Sequence, residues 1–210
     1  AHGLMSMQVK TAHYTRSIRL ESWASGKDKS LIRIIAPLKE RGTSTLMYGK
    51  NIYTYLPKTD RTIRLTSGMM GGSWMGSHFT NDDLIKESRM SEDYDATITF
   101  EGIRNRQSVI EFTLIPKPLA SVVWGKIVLT IEAKNIIPVS YIFYDEDMEM
   151  IRTMTFSDVK DLGGRVIPAV LRVTPIDKPG EYTEVVYEKM EFEIPIKDSF
   201  FSIARLKKKK

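Results

Sequence analysis

The chain contains no cysteine, and that absence removes thiol nucleophiles, disulfides, zinc–thiolate sites and iron–sulfur clusters together. Histidine is nearly as scarce. The three histidines, His2, His13 and His78, do not share the spacing of a metal-binding helix. No apolar run reaches the length of a membrane span, and no stretch of these residues reads as a signal peptide. Glycines 68, 71, 72 and 76 lack the following Lys-Ser/Thr of a phosphate loop and do not fit the GxGxxG dinucleotide pattern. Ser73 is followed two residues later by Met75 rather than glycine, so a GxSxG nucleophile elbow is missing as well. Asp145-Glu146-Asp147 lacks the spacing of a calcium loop and reads as a hairpin tip. His78 beside Ser77 reads as a solvated loop histidine. No catalytic residues, metal site or cofactor are expected, and the chain does not read as an enzyme.

Excess charge is also missing from the body of the chain. The formal net charge is +5, but Lys207, Lys208, Lys209 and Lys210 supply four of those charges. About +1 is left for the rest, too little for a nucleic-acid track. Residues 207–210 read as a basic tail, either a solubilising end or one weakly drawn to an anionic membrane surface. Arg61 and Arg64, near Tyr53 and Tyr55, could form a basic pair at a pocket mouth for a lipid head group. The 42% hydrophobic and 27% charged composition is that of a globular protein, and no linker divides the 210 residues, so a single domain over 1–210 is expected. Residues 1–6 read as a flexible start or a cloning remnant.

What is present is alternation. Met7 to Ala24 lacks Pro and Gly and reads as one extended strand, followed by a turn at Ser25 to Lys29 and a second strand stopped by Pro37. Three short strands follow before Leu65. From Ala96 the strands resume, with turn signals at Gly102, Pro116-Lys117-Pro118, Asn135, Asp145 to Asp147, Gly163-Gly164 and Lys178-Pro179-Gly180. About a dozen strands in up-and-down order make a sheet that must curl strongly or close. Several strands are apolar at both parities, such as Leu31, Ile32, Ile34 and Ile35, or Tyr141, Ile142, Phe143 and Tyr144. Something must then cover parts of both faces.

The break in this pattern is Ser67 to Leu84, SGMMGGSWMGSHFTNDDL, with Met69, Met70, Trp74, Met75 and Phe79 among glycines. It reads as an apolar flap that meets hydrophobic ligands or plugs the core. Thr80 and Asp83 have capping-box spacing, so a short helix is expected from Asn81 to about Arg89. Gly68 to Met75 is expected to touch ligand, and Gly76 to Leu84 to anchor it. Trp124, Trp23, Tyr55, Met47 and Met154 are candidates for the cavity wall.

Gly76 to Leu84, GSHFTNDDL, resembles the G-S-D-F-[ST]-x-[ED]-D-L signature of the outer-membrane lipoprotein-sorting proteins of the LolA/LolB-like superfamily. Other segments follow that pattern in order: Leu31 to Ile34 before Pro37, Gly42 to Leu46, Tyr53 to Pro57, Ile115 to Lys117, Ile136 to Pro138 with Tyr144-Asp145, and Ser199 to Leu206. His78 departs from the family's usual Asp, which puts a polar contact there in question. The resemblance implies a mainly β fold with a small α component: one strongly curved antiparallel sheet, an incomplete β-barrel of about eleven strands, with short helices and loops as a lid over an apolar cavity. It further implies a monomeric periplasmic carrier or binding protein, its signal peptide already removed, for lipoproteins or other acyl-chain lipids, working with an inner-membrane exporter or an outer-membrane acceptor. A cell-envelope interaction module with a filled cavity, such as a lipoprotein-sensing regulator or a lipid-exporter accessory protein, is the alternative.

Overall fold

The computed structural model describes residues 1–86 and 90–208. Thirteen strands form one antiparallel sheet: β1 (His2–Lys10), β2 (Thr15–Ser25), β3 (Lys29–Ala36), β4 (Ser44–Tyr48), β5 (Asn51–Leu56), β6 (Arg61–Arg64), β7 (Tyr94–Arg104), β8 (Gln107–Pro116), β9 (Lys126–Glu132), β10 (Ile137–Tyr144), β11 (Met150–Leu162), β12 (Arg165–Pro175) and β13 (Tyr182–Glu191). Short helices α1 (Asp83–Lys86), α2 (Met90–Asp93) and α3 (Ile203–Leu206) complete it, with one-turn 3-10 helices at Ser67–Met69, Trp74–Gly76 and Asp198–Phe200. The sheet runs from edge strand β6 through β5, β4, β3, β2 and β1 to β13, then back down to edge strand β7. Two meanders are thus joined where the first strand pairs with the last.

That join explains two departures from the sequence expectations. The stretch from Met7 to Ala24 is not one strand. It folds back at Thr11 to Tyr14, where the Thr11 hydroxyl accepts from the amides of His13 and Tyr14, a local turn device that competes with extended structure. Residues 2–6, expected as a flexible start or a cloning remnant, are strand, pairing with β2 on one side and β13 on the other. Gly102 was expected at a turn but lies within β7. The turn falls at Asn105 and Arg106, which both adopt positive φ, the backbone of a two-residue hairpin.

Cover comes from different segments on the two faces. On the outer face of β3 to β5, Leu31, Leu46 and Tyr55 pack beneath Phe201 and Leu206 of the C-terminal segment. The segment is pinned by polar contacts: Ser44 Oγ donates to the Leu206 carbonyl (2.8 Å) and Arg33 Nη2 to the Arg205 carbonyl (2.6 Å). On the inner face, Met7, Ile18, Leu20, Ile34, Ile127 and Val173 are almost wholly buried with Trp74 and Phe79 of the flap. The β3 strand, apolar at both parities, is therefore covered on both faces, with Ile34 in the inner core beside the flap and Leu31 beneath the C-terminal segment.

Trp124 sits in the β8–β9 connection rather than in a strand. Its neighbour Gly125 holds the connection against the β10–β11 turn, its amide donating to the Tyr144 carbonyl (3.0 Å). A Cβ at Gly125 would collide with the backbone carbonyl of Asp145. Gly125→Ala is therefore expected to cost about 1–3 kcal/mol, as overpacking against backbone does, read as a lower urea midpoint; an unchanged midpoint would show the connection to be loosely held.

Candidate functional site

The expected capped helix start is present. The Thr80 amide donates to Asp83 Oδ2 (2.7 Å) and the Asp83 amide to Thr80 Oγ1 (3.3 Å), closing a reciprocal box. Residues 87–89, the expected end of this helix, and residues 209 and 210 of the basic tail lie outside the described residues. Asp83 is held a second time. Arg152 of β11, only 3% exposed, forks onto its carboxylate at 2.8 and 2.5 Å and also donates to the His78 carbonyl (3.0 Å). The same guanidinium lies over the rings of Trp124 (4.5 Å) and Phe143 (4.4 Å). One cation thus ties the helix start to the sheet and to the loop carrying Trp124.

Beneath this junction lies a cavity of about 320 Å³ between the inner face of the sheet and the flap. Its sheet walls are Met5, Leu20, Ile32, Ile127, Tyr141, Phe143, Met154, Leu171, Val185, Tyr187 and Met190. Its cover is Trp74, Phe79, Leu84 and Met90, and Trp124 bounds it from the β8–β9 side. Room is left where β2 and β3 carry the small residues Ser22, Ala24 and Ser30. Asp83 is the charged residue of the lining, and its partner Arg152 neutralises it.

Trp74 is fixed rather than loosely hinged. Its Nε1 donates to Thr45 Oγ1 (3.1 Å) and its ring meets Phe79 edge-on at 6.4 Å. Met75 follows at φ 49° and its carbonyl accepts from Arg16 Nη1 (2.6 Å), itself paired with Glu40. That pairing holds the Glu40 carboxyl below its ordinary range. Tyr94 is buried and donates to the Trp124 carbonyl (3.2 Å). Burial, and then the negative charge of Asp82, push its phenol above the ordinary range.

The expected site residues divide by position. Trp74, Phe79, Trp124, Trp23 and Met154 line the cavity, although Trp23 also packs against the outer cluster, its ring stacked on His2 (5.5 Å) and tilted against Phe200 (5.3 Å). Met75 packs on the margin of the inner core, and Met70 joins Met47, Ile52 and Ile85 in a separate cluster. Met69 is 42% exposed. Tyr55 belongs to the outer cluster, because its parity on β5 points it under the C-terminal segment. Arg61 and Arg64 are exposed on edge strand β6, Arg64 donating to Asn51 Oδ1 (2.6 Å), and neither reaches the cavity. The two parts of the flap share these tasks. Trp74 of 68–75 lines the cavity together with Phe79 and Leu84 of 76–84, and Thr80 and Asp83 anchor the second part as expected. Met70 packs in the separate cluster, and Met69 faces solvent. Leu20, Tyr141, Leu171 and Val185 were missed; alternation signalled that they share faces with other apolar residues, but not which face is the inner one. His78 is not a solvated loop residue either, since both ring nitrogens have partners on the β12–β13 side.

Among the described residues, no group of three His, Cys, Asp or Glu side chains is placed to hold a metal ion, and no helix is long and apolar enough to cross a membrane.

A family model described as "-like: Uncharacterized protein" matches residues 26–208. No curated protein matches the chain. Among solved structures, a domain described as an outer membrane lipoprotein-sorting protein from Vibrio parahaemolyticus superposes with a TM-score of 0.84 at 24% identity, covering 99% of this chain and 91% of that one. A LolA superfamily protein from Nitrosomonas europaea gives 0.81 at 18% identity, covering 97% and 90%. A DUF1329 family protein from Desulfovibrio piger gives 0.87 at 19% identity, covering 98% and 90%. The fold is the one these proteins share.

Proposed function

We propose, from the premise that the chain belongs to the family matched over residues 26–208 and has the fold of the LolA superfamily protein and the lipoprotein-sorting domain, that it is a non-enzymatic carrier or binding protein of the cell envelope. Its ligand would be the acyl chains of lipoproteins or of other lipids, held in the cavity under the flap, in the periplasm, with an exporter or an acceptor as its partner. The observation that carries this reading is the apolar cavity itself, walled by the inner face of the sheet and roofed by Trp74 and Phe79. Each buried methylene contributes about 0.8 kcal/mol, so a dozen would supply on the order of 10 kcal/mol gross. An interior with free volume supports this reading over an interaction module with a filled cavity.

The test is extraction of the purified protein for acyl species by mass spectrometry, with titration of a fluorescent fatty acid. Ala24→Phe, which adds an aromatic ring where the lining is small, is expected to weaken binding by about tenfold or more, the equivalent of displacing roughly two methylenes, while leaving the urea midpoint near that of the parent. No acyl species, together with equal binding by parent and variant, would sink the proposal.

A further inference from the structure

His78 is where the chain departs from the family signature, and its surroundings give it a role of its own. Its amide donates to Thr183 Oγ1 (2.9 Å), its Nδ1 lies 2.8 Å from the same oxygen, and its Nε2 lies 3.1 Å from Glu181 Oε2. The imidazole and the carboxylate are both largely buried, with side chains 12% and 14% exposed. The other Glu181 oxygen accepts from the Ala12 amide (2.8 Å) in the β1–β2 turn. One side chain of the flap is therefore clasped by β13 and, through Glu181, by a second turn of the sheet.

We infer that His78 and Glu181 form a proton-dependent latch that holds the flap more tightly at mildly acidic than at neutral pH. With His78 neutral, Nε2–H donates to Glu181, Nδ1 accepts from the Thr183 hydroxyl, and the His78 amide donates to that hydroxyl's oxygen; the clasp is satisfied but uncharged on the flap side. Protonation turns Nδ1 into a second ring donor, so the Thr183 hydroxyl must rotate to accept from it, and makes the contact with Glu181 a charge-assisted pair in a shielded position. The neighbouring charges support this sign. Arg152, at the His78 carbonyl, is neutralised by Asp83, and Arg16, at the Met75 carbonyl, by Glu40. Asp177 and Lys178, both exposed in the β12–β13 turn, and His13 and Tyr14, both exposed in the β1–β2 turn, are the other titratable groups of the two facing turns. The Ala12 amide and then His78 hold the Glu181 carboxyl below its ordinary range, so it stays ionised throughout the window in which an imidazole titrates. The latch rests on the reading that the flap covers the ligand cavity.

Hydrogen exchange of the amides in 73–85, corrected for intrinsic rates, tests it at about pH 5.5 and about pH 7.5, either side of an ordinary imidazole. Flap opening in the parent is expected to be about fivefold rarer at the lower pH, the margin of a charge-assisted over a neutral hydrogen bond. Glu181→Gln and His78→Gln should each abolish the difference, and His13→Gln should keep it. A parent flap indifferent to pH, or a difference surviving in both latch variants, would overturn the inference. Fatty-acid titration on the same samples separates the two readings. A pH-dependent flap without binding leaves the latch and removes the carrier; binding under a pH-indifferent flap does the reverse.

Discussion

Arg152→Ala is expected to lower the unfolding free energy by about 3–5 kcal/mol, the range for removing one partner of a buried ion pair. Among the described residues, Asp83 would keep its charge beside an apolar cavity with only the Thr80 amide to answer it. Lost with the guanidinium are its bond to the His78 carbonyl and its stacking on Trp124 and Phe143, so the helix start, the flap and the β8–β9 connection should loosen together. Urea denaturation gives the magnitude. The double variant Arg152→Met with Asp83→Leu separates pairing from packing: with both charges gone it should recover most of the loss, apart from about 1 kcal/mol for the missing cap. A single variant costing less than about 1 kcal/mol would mean that the pair behaves like a solvated surface bridge.

Trp74→Ala is the second large effect, expected at about 3–5 kcal/mol for truncation of a buried aromatic side chain. Trp74 is 5% exposed, lies on the cavity roof and is tied to Thr45 through its indole N–H. Truncation should enlarge the cavity and free the flap from β4, so flap amides should lose exchange protection as the urea midpoint falls. Fatty-acid binding should weaken as well, because the apolar roof is gone. Trp74→Phe keeps most of the apolar surface and should cost about 1 kcal/mol, the net worth of the lost hydrogen bond. If Trp74→Ala bound fatty acid as the parent does, the roof would have no part in holding a ligand, and the flap would be a core plug only.

The β architecture was legible because its signals are local. Alternation, turn residues and the capping box at Thr80 and Asp83 each act within a few residues, and the structure carries all three. The turn between β1 and β2 was not legible, because Thr11 to Tyr14 contains neither Gly nor Pro and closes through a hydroxyl accepting from two amides. Apolar flap residues could be named in advance, but not their targets. Met69, Met70, Trp74 and Phe79 are alike in composition; one is exposed, one braces Met47 and Ile52, and two roof the cavity.

By itself the sequence determined the absence of thiol chemistry, the antiparallel strands and an apolar, glycine-broken segment ending in a capped helix. Tertiary structure alone decided which strand parity faces inward, because that depends on segments far apart in the chain: the C-terminal residues that bury Tyr55 on the outer face, and the flap that buries Leu20 on the inner one. It also decided the fate of His78, the residue of 76–84 that departs from the lipoprotein-sorting signature this segment resembles. A histidine in a loop is exposed or buried according to what approaches it, and here Thr183 and Glu181, more than a hundred residues away, are what approach.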